Sequence, residues 1–161
     1  MKNKHLLQKA TLAAGCFWHV EEVFKHVKGV ISTTVGYTGG KLESPTYEDV
    51  CTDKTEHAEA IEIEYDPSTR SYKEMLEVFW NCHDPTQINK QGPDIGTQYR
   101  SAIFYHNEEQ KKEAIASKLQ LQKTDKYRNK NIVTEITKVS KFYKAEEYHQ
   151  GHLEKLGRTT C

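Results

Sequence analysis

The sequence predicts an α+β fold in two layers, with helices packed on one sheet. Three observations predict it. Segments with helical apolar spacing and segments with strand patterning are both present. They mix without the strict βαβ alternation that a parallel sheet requires. And 161 residues, with no internal repeat and no low-complexity linker, fit a single domain over 1–161. A chain of this size buries about 70 % of the surface it exposes when unfolded, enough for a core without metal or disulfide staples.

The elements follow in order. Residues 9–15 read as a short strand of small residues (Ala10, Leu12, Ala13, Ala14) that turns at Gly15. Apolar residues at 17, 20, 23, 24 and 27 then predict a helix over 17–27. Residues 30–37 are β-branched and strand-like, closed by Gly39-Gly40. Residues 58–65 alternate as a strand that Asp66-Pro67 stops, and Ser71 caps a helix with apolar positions 72, 75, 76, 79 and 82. Residues 84–96 hold two prolines and two glycines, the mark of an ordered functional loop rather than an element. A strand over 101–105 and a long polar helix from the Asn107 cap to about Lys123 come next. A last strand over 132–139, a helix over 145–156 and a loose tail over 157–161 complete the chain.

Composition narrows the function. Lys plus Arg equal Asp plus Glu at 23 each, which leaves neither a basic footprint for nucleic acid nor an acidic tail. Lysines between 111 and 130 alternate with Glu and Gln and read as a solvated helix face. The first ten residues offer only Leu6 and Leu7 as an apolar pair, too short for a signal peptide, and no run approaches a membrane span. The expectation is a cytoplasmic protein with reduced thiols, without membrane or nucleic-acid partners. Its four cysteines, Cys16, Cys51, Cys82 and Cys161, form no C-x-x-C pair. His149 and His152 stand at i, i+3 without further ligands at a recognisable spacing, so no metal is expected.

Two residues carry the chemical signal. Cys16 follows Gly15 at a strand-to-helix turn, where unpaired N–H groups and the helix dipole favour the nucleophilic thiolate. A buried, inert cysteine fits the same position. Glu59 shares a strand face with Ile61, Ile63 and Tyr65, while Glu62 and Glu64 lie on the other. A carboxyl on an apolar face is desolvated and stays protonated near neutral pH, which suits a proton donor; a strand-end glutamate reaching water is the alternative. Between them in function lie residues 83–101, polar groups framed by Pro85, Gly92, Pro93 and Gly96, a plausible binding loop in which Asp94 and Tyr99 equally suit a turn and a core.

Gly15-Cys16-Phe17-Trp18, Tyr47-Glu48-Asp49-Val50-Cys51, His57-Ala58-Glu59, Tyr65-Asp66-Pro67, the blocks within 83–101 and Ala145-Glu146-Glu147-Tyr148-His149-Gln150 together resemble the peptide methionine sulfoxide reductase A family over roughly residues 10–153. The resemblance implies a ferredoxin-like core with a mixed, mostly antiparallel sheet. It implies Cys16 as the nucleophile on the sulfoxide sulfur, and Phe17 and Trp18 as the pocket for the substrate's S-methyl group. Glu59 becomes the proton donor, aided by hydrogen bonds from Tyr47 and Tyr99, with Asp94 and His149 lining the substrate site. The implied substrate is the S-epimer of methionine sulfoxide, free or in proteins. Attack leaves a sulfenic acid on Cys16. The family usually has glycine where this chain has His19 and Glu56.

A second thiol then condenses with Cys16, and an external dithiol such as thioredoxin restores both; no prosthetic cofactor is implied. Cys161, at the end of a Gly-containing tail, is the first candidate and Cys51 the second, while Cys82 reads as core. A monomer is expected. Two other classes compete on the residues alone: a cysteine hydrolase pairing Cys16 with His57, His83 or His149, and a non-catalytic redox sensor.

Overall fold

The structure, a computed structural model, describes residues 7–157. Among the described residues eight strands and five helices follow one another: β1 (Gln8–Ala14), α1 (Phe17–Lys25), β2 (Val30–Thr38), α2 (Tyr47–Cys51), β3 (Ala58–Tyr65), α3 (Tyr72–Asn81), β4 (Lys90–Gln91), β5 (Asp94–Ile95), β6 (Ser101–Tyr105), α4 (Glu108–Gln122), β7 (Glu135–Lys138), β8 (Tyr143–Lys144) and α5 (His152–Lys155). The main sheet has the order β7-β6-β1-β3-β2-β8, and β4 and β5 form a separate hairpin. All pairings in the main sheet are antiparallel except β6 with β7. The inner four strands β6-β1-β3-β2, with α1 and α3 as crossovers, are the split βαβ arrangement of a ferredoxin-like core. The two-layer α+β expectation is borne out.

Alternation sorts the sheet's side chains. Leu12, Ile61, Ile63 and Ile103 face a helical layer whose Val20, Phe24, Met75, Leu76, Phe79 and Ala114 come from α1, α3 and α4. On the opposite face, small residues (Ala13, Ala58, Ala60, Ala102) surround Phe104, and Val139 and Phe142 cover them. Capping residues start the helices as expected: Ser71 in a capping box with Glu74, and Asn107 accepting from the Gln110 amide. Cys82 closes α3, its thiol directed at the Phe79 carbonyl, and burial pushes its pKa up to about 12, so the core reading holds. No helix of the described residues is long and apolar enough to cross a membrane.

Four expectations need correction. The five-residue α2, built on a Thr46–Asp49 capping box, was outside the expected elements because its apolar content is too small for a periodicity. The strand expected over 132–139 is only β7, because Ile132 turns into the helical core. The 84–96 loop contains the β4–β5 hairpin. The helix expected over 145–156 is a short 3-10 turn at Glu147–His149 and the single turn of α5, parted by Gly151 at φ +64°. Gln150 explains the break: its side-chain amide accepts from Val35 N and donates to the Val35 and Ala145 carbonyls, pairing with β2 as a strand residue would. The expected loose tail lies, apart from Gly157, outside the described residues, and Cys161 with it.

β8 approaches β2 at Gly36, where a Cβ would stand 2.4 Å from the Tyr143 carbonyl oxygen and 2.6 Å from the Phe142 ring. Gly36→Ala should therefore detach β8 and lower stability by about 1–3 kcal/mol, read from urea unfolding. An unchanged midpoint would mean that β8 is not held by this contact.

Candidate active site

The site forms where β1 hands over to α1. Gly15 has φ +92°, and a Cβ there would lie 2.8 Å from Gln91 Cβ, so only glycine makes the turn beneath the β4–β5 hairpin. Gln91 is itself fixed, accepting from Asp84 N and donating to Asp84 O, both at 2.9 Å. Half-buried Cys16 follows as the N-cap of α1, with no side-chain cap, so the helix's first amides face the site.

One of those amides has a particular partner. Phe17 N–H donates to Glu59 Oε1 at 3.2 Å, tying the carboxyl to the residue beside Cys16. Glu59 is 2 % exposed, and Oε2 has no hydrogen-bond partner among the described residues. Burial, opposed by the Phe17 amide and aided by the Asp94 charge, raises its pKa to about 8. At neutral pH the carboxyl is mostly protonated. Oε1 accepts from Phe17, so a proton on Oε2 would meet no acceptor among the described residues.

Three further residues converge on this carboxyl. The hydroxyls of Tyr47 and Tyr99 are both held far above their ordinary pKa, first by burial, then in Tyr47 by its bond to Cys51 and in both by the Glu59 charge, so both remain donors. Tyr47 also hydrogen-bonds the Cys51 thiol one helical turn away on α2. Asp94, half-buried on β5, acts on both Glu59 and Tyr99. The two tyrosine-bearing segments are joined where Thr97 donates its amide (2.6 Å) and its hydroxyl to Asp53 Oδ1.

Aromatic rings build the other wall. Trp18 Nε1–H donates to His149 Nδ1 at 2.9 Å, and the indole stacks on His152 with centroids 3.9 Å apart. His149 is fully buried between Phe17 (5.2 Å) and Tyr47 (4.5 Å), and burial lowers its pKa. It is neutral, with the remaining proton on Nε2. All described candidates except Cys82 thus gather here: Cys16, Phe17, Trp18, Tyr47, Cys51, Glu59, Asp94, Tyr99 and His149. Cys161 lies outside the described residues.

The imidazoles needed for a hydrolase are otherwise engaged. His57 accepts from Gly40 N and bonds the Leu42 carbonyl, and His83 lies between the Phe79 carbonyl and the Ser101 hydroxyl with its pKa lowered by burial to about 4. His149 Nδ1 is taken by Trp18. A neutral carboxyl and two phenols gathered near a helix-capping thiol are groups able to donate protons.

The model of the peptide methionine sulfoxide reductase family matches residues 8–161. The chain belongs to that family. A peptide methionine sulfoxide reductase MsrA from Methanosarcina acetivorans is 61 % identical over 151 residues, 94 % of this chain and 80 % of the relative. Among solved structures, Mxr1 from Saccharomyces cerevisiae in reduced form is similar at TM-score 0.91 and 36 % identity, covering 100 % of this chain and 92 % of that one. The same yeast protein in complex with Trx2 is similar at TM-score 0.66 and 29 % identity, covering 94 % and 88 %.

As a member of the reductase A family, this chain departs from the usual pattern at two places that the structure explains. Glu56 has φ +65°, a left-handed conformation that glycine adopts without strain, and an ion pair with Lys41 at 3.1 Å accompanies it. His19 lies in a surface groove with Val23 and Cys82, on a different side of α1 from the aromatic wall. Sequence reasoning missed Tyr37, whose ring packs 5.7 Å from Phe17, gave Glu146 no role of its own, and weighed His152 only as a metal ligand rather than as the ring that stacks on Trp18. Only the resemblance of the 145–150 block hinted at the last segment.

Proposed function

We propose that the chain reduces the S-epimer of methionine sulfoxide, free or within proteins, to methionine. The observation that carries the reading is the buried Glu59 carboxyl, bonded through Oε1 to the Phe17 amide next to Cys16 and with Oε2 unpartnered among the described residues, where burial raises its pKa to about 8. A sulfoxide oxygen leaves its sulfur only when protonated, so a buried neutral carboxyl is the group the reaction needs. The substrate's methyl group would lie against Phe17 and Trp18. Its oxygen would accept from Glu59 Oε2 and the hydroxyls of Tyr47 and Tyr99, with Asp94 and His149 completing the walls.

The Cys16 thiolate supplies the electron pair to the sulfoxide sulfur. In balance, the oxygen passes to Cys16, two electrons pass to the methionine sulfur, and the proton from Glu59 ends on the sulfenic acid. A second thiol, Cys161 first and Cys51 as the rival, displaces that oxygen as water and forms a disulfide. A dithiol then reduces the disulfide by exchange. The yeast relative's complex with Trx2 supports thioredoxin as that dithiol.

The test is a single turnover. Pre-reduced protein without reductant should release about one methionine per chain from the S-epimer and essentially none from the R-epimer. Peptide mapping of the product should find Cys16 joined to Cys161. A link to Cys51 would keep the activity and exchange the resolving thiol; equal release from both epimers would overturn the pocket assignment; no release from either would overturn the activity.

A further inference from the structure

Glu146 joins two walls of the site. One carboxylate oxygen accepts the Tyr37 hydroxyl and the other accepts the Tyr47 backbone N–H, each at 2.9 Å. Tyr37 is fully buried against Phe17, and its hydroxyl has this carboxylate as acceptor. Tyr47 is the first residue of α2, where a helix has no carbonyl of its own to offer the amide. Burial alone would raise the Glu146 pKa, yet the bonds from the Tyr47 amide and the Tyr37 hydroxyl hold it below the usual carboxylate range. It is an acceptor at both oxygens, facing two donors.

We infer that Glu146 is a positioning residue for the reduction, fixing through the Tyr47 amide where the Tyr47 hydroxyl meets the sulfoxide oxygen. The inference rests on the reading of Tyr47 as a donor to that oxygen. Two features give it force. Helix α2 has only five residues; its Thr46 capping box fixes the turn against itself, and the packing of Val50 and of the Tyr47 ring on His149 is non-directional, so the Glu146 bond is the hydrogen bond that ties the Tyr47 backbone to the site. The Tyr47 hydroxyl also bonds the Cys51 thiol on the same helix, so it must exchange a partner that moves with it for a substrate that does not. Only an anchor outside α2 can set that exchange in register, and Glu146, 99 residues away in the chain, is such an anchor.

The experiment uses reduced full-length protein, with first-turnover methionine release measured by rapid quench over a range of S-epimer concentrations. Glu146→Ala and Tyr47→Phe should each lower the limiting rate about tenfold, with the half-saturating concentration little changed. The double variant should be no slower than the slower single, because both remove the same placed hydroxyl. Glu146→Gln should restore most of the rate, since its carbonyl accepts the Tyr47 amide while its NH2 donates to the Tyr37 oxygen. Glu146→Ala also strands the Tyr37 hydroxyl, so Tyr37→Phe/Glu146→Ala should melt higher than Glu146→Ala and stay as slow.

Additive losses in the Tyr47→Phe background, or recovery of the rate with the melting temperature in the Tyr37→Phe pair, would overturn the inference and leave Glu146 a packing residue. If Tyr47→Phe alone leaves the rate intact, the reading of Tyr47 falls and the inference with it. Methionine release by the unmodified protein tells that failure apart from failure of the reductase itself.

Discussion

Glu59→Gln should slow first-turnover methionine release by about 10²–10⁴-fold, the range expected when a positioned general acid is lost. The amide keeps the side chain's shape and accepts from the Phe17 amide through its carbonyl, but it offers no acidic proton to the sulfoxide oxygen. In the unmodified protein the same rate should fall above pH 8 as Glu59 ionises. That limb should vanish in the variant. Stability should move the other way. Because the folded pKa lies above the unfolded value, the native state holds a proton that the unfolded chain releases. The stability that this proton contributes is fully present below about pH 4.5 and is lost as pH rises through about 8. Glutamine has no such loss, so the variant should gain on the unmodified protein across this window, by about 3–5 kcal/mol at most. Urea unfolding at pH 4.5, 7 and 9 measures it. A variant that keeps its rate, or whose stability difference is flat with pH, would remove Glu59 from the role of acid.

Cys16→Ser should end methionine release altogether. An alcohol at a helix N-cap is not ionised at neutral pH and has no route to a sulfenic acid. The other described thiols should behave differently in the first turnover. Cys82→Ser should leave it intact, because that thiol is partly buried against the core at the end of α3 and is not among the residues gathered at the site. Cys51→Ser should also retain it, since the serine hydroxyl still offers Tyr47 a partner. Quantifying methionine per chain for the three variants checks this. Residual release from Cys16→Ser would place the nucleophile elsewhere, and Cys51 would be the first residue to examine.

How legible the site was in the sequence depended on whether its signal was local. Strand alternation sufficed to set Glu59 among isoleucines, and one glycine before one cysteine sufficed for the turn at Cys16, because both patterns fit within a few residues. The ring arrangement was not legible. Tyr37 and Glu146 are 109 residues apart and meet only because β8 returns the chain to β2. Without the family resemblance, Tyr47, Asp94, Tyr99 and His149 were polar or aromatic residues of ambiguous setting. The fold shows the same division. Long elements with a clear period and a cap, such as α3 and α4, were readable, whereas α2 was too short to show one. The 145–156 stretch had helical spacing, yet Glu146, His149 and Gln150 bond to distant partners and Gly151 turns the backbone. Tertiary bonds overrode local propensity there.

The Gln150 side chain that pairs with Val35 also bears on how the edge of the sheet meets other chains. Open sheet edges invite other chains to add to them. Here the two outer strands are four and two residues long, and the amide of Gln150 fills the bonding positions of Val35 beyond β8. A sheet bordered this way offers other chains little to template on, which guards the protein against edge-to-edge association.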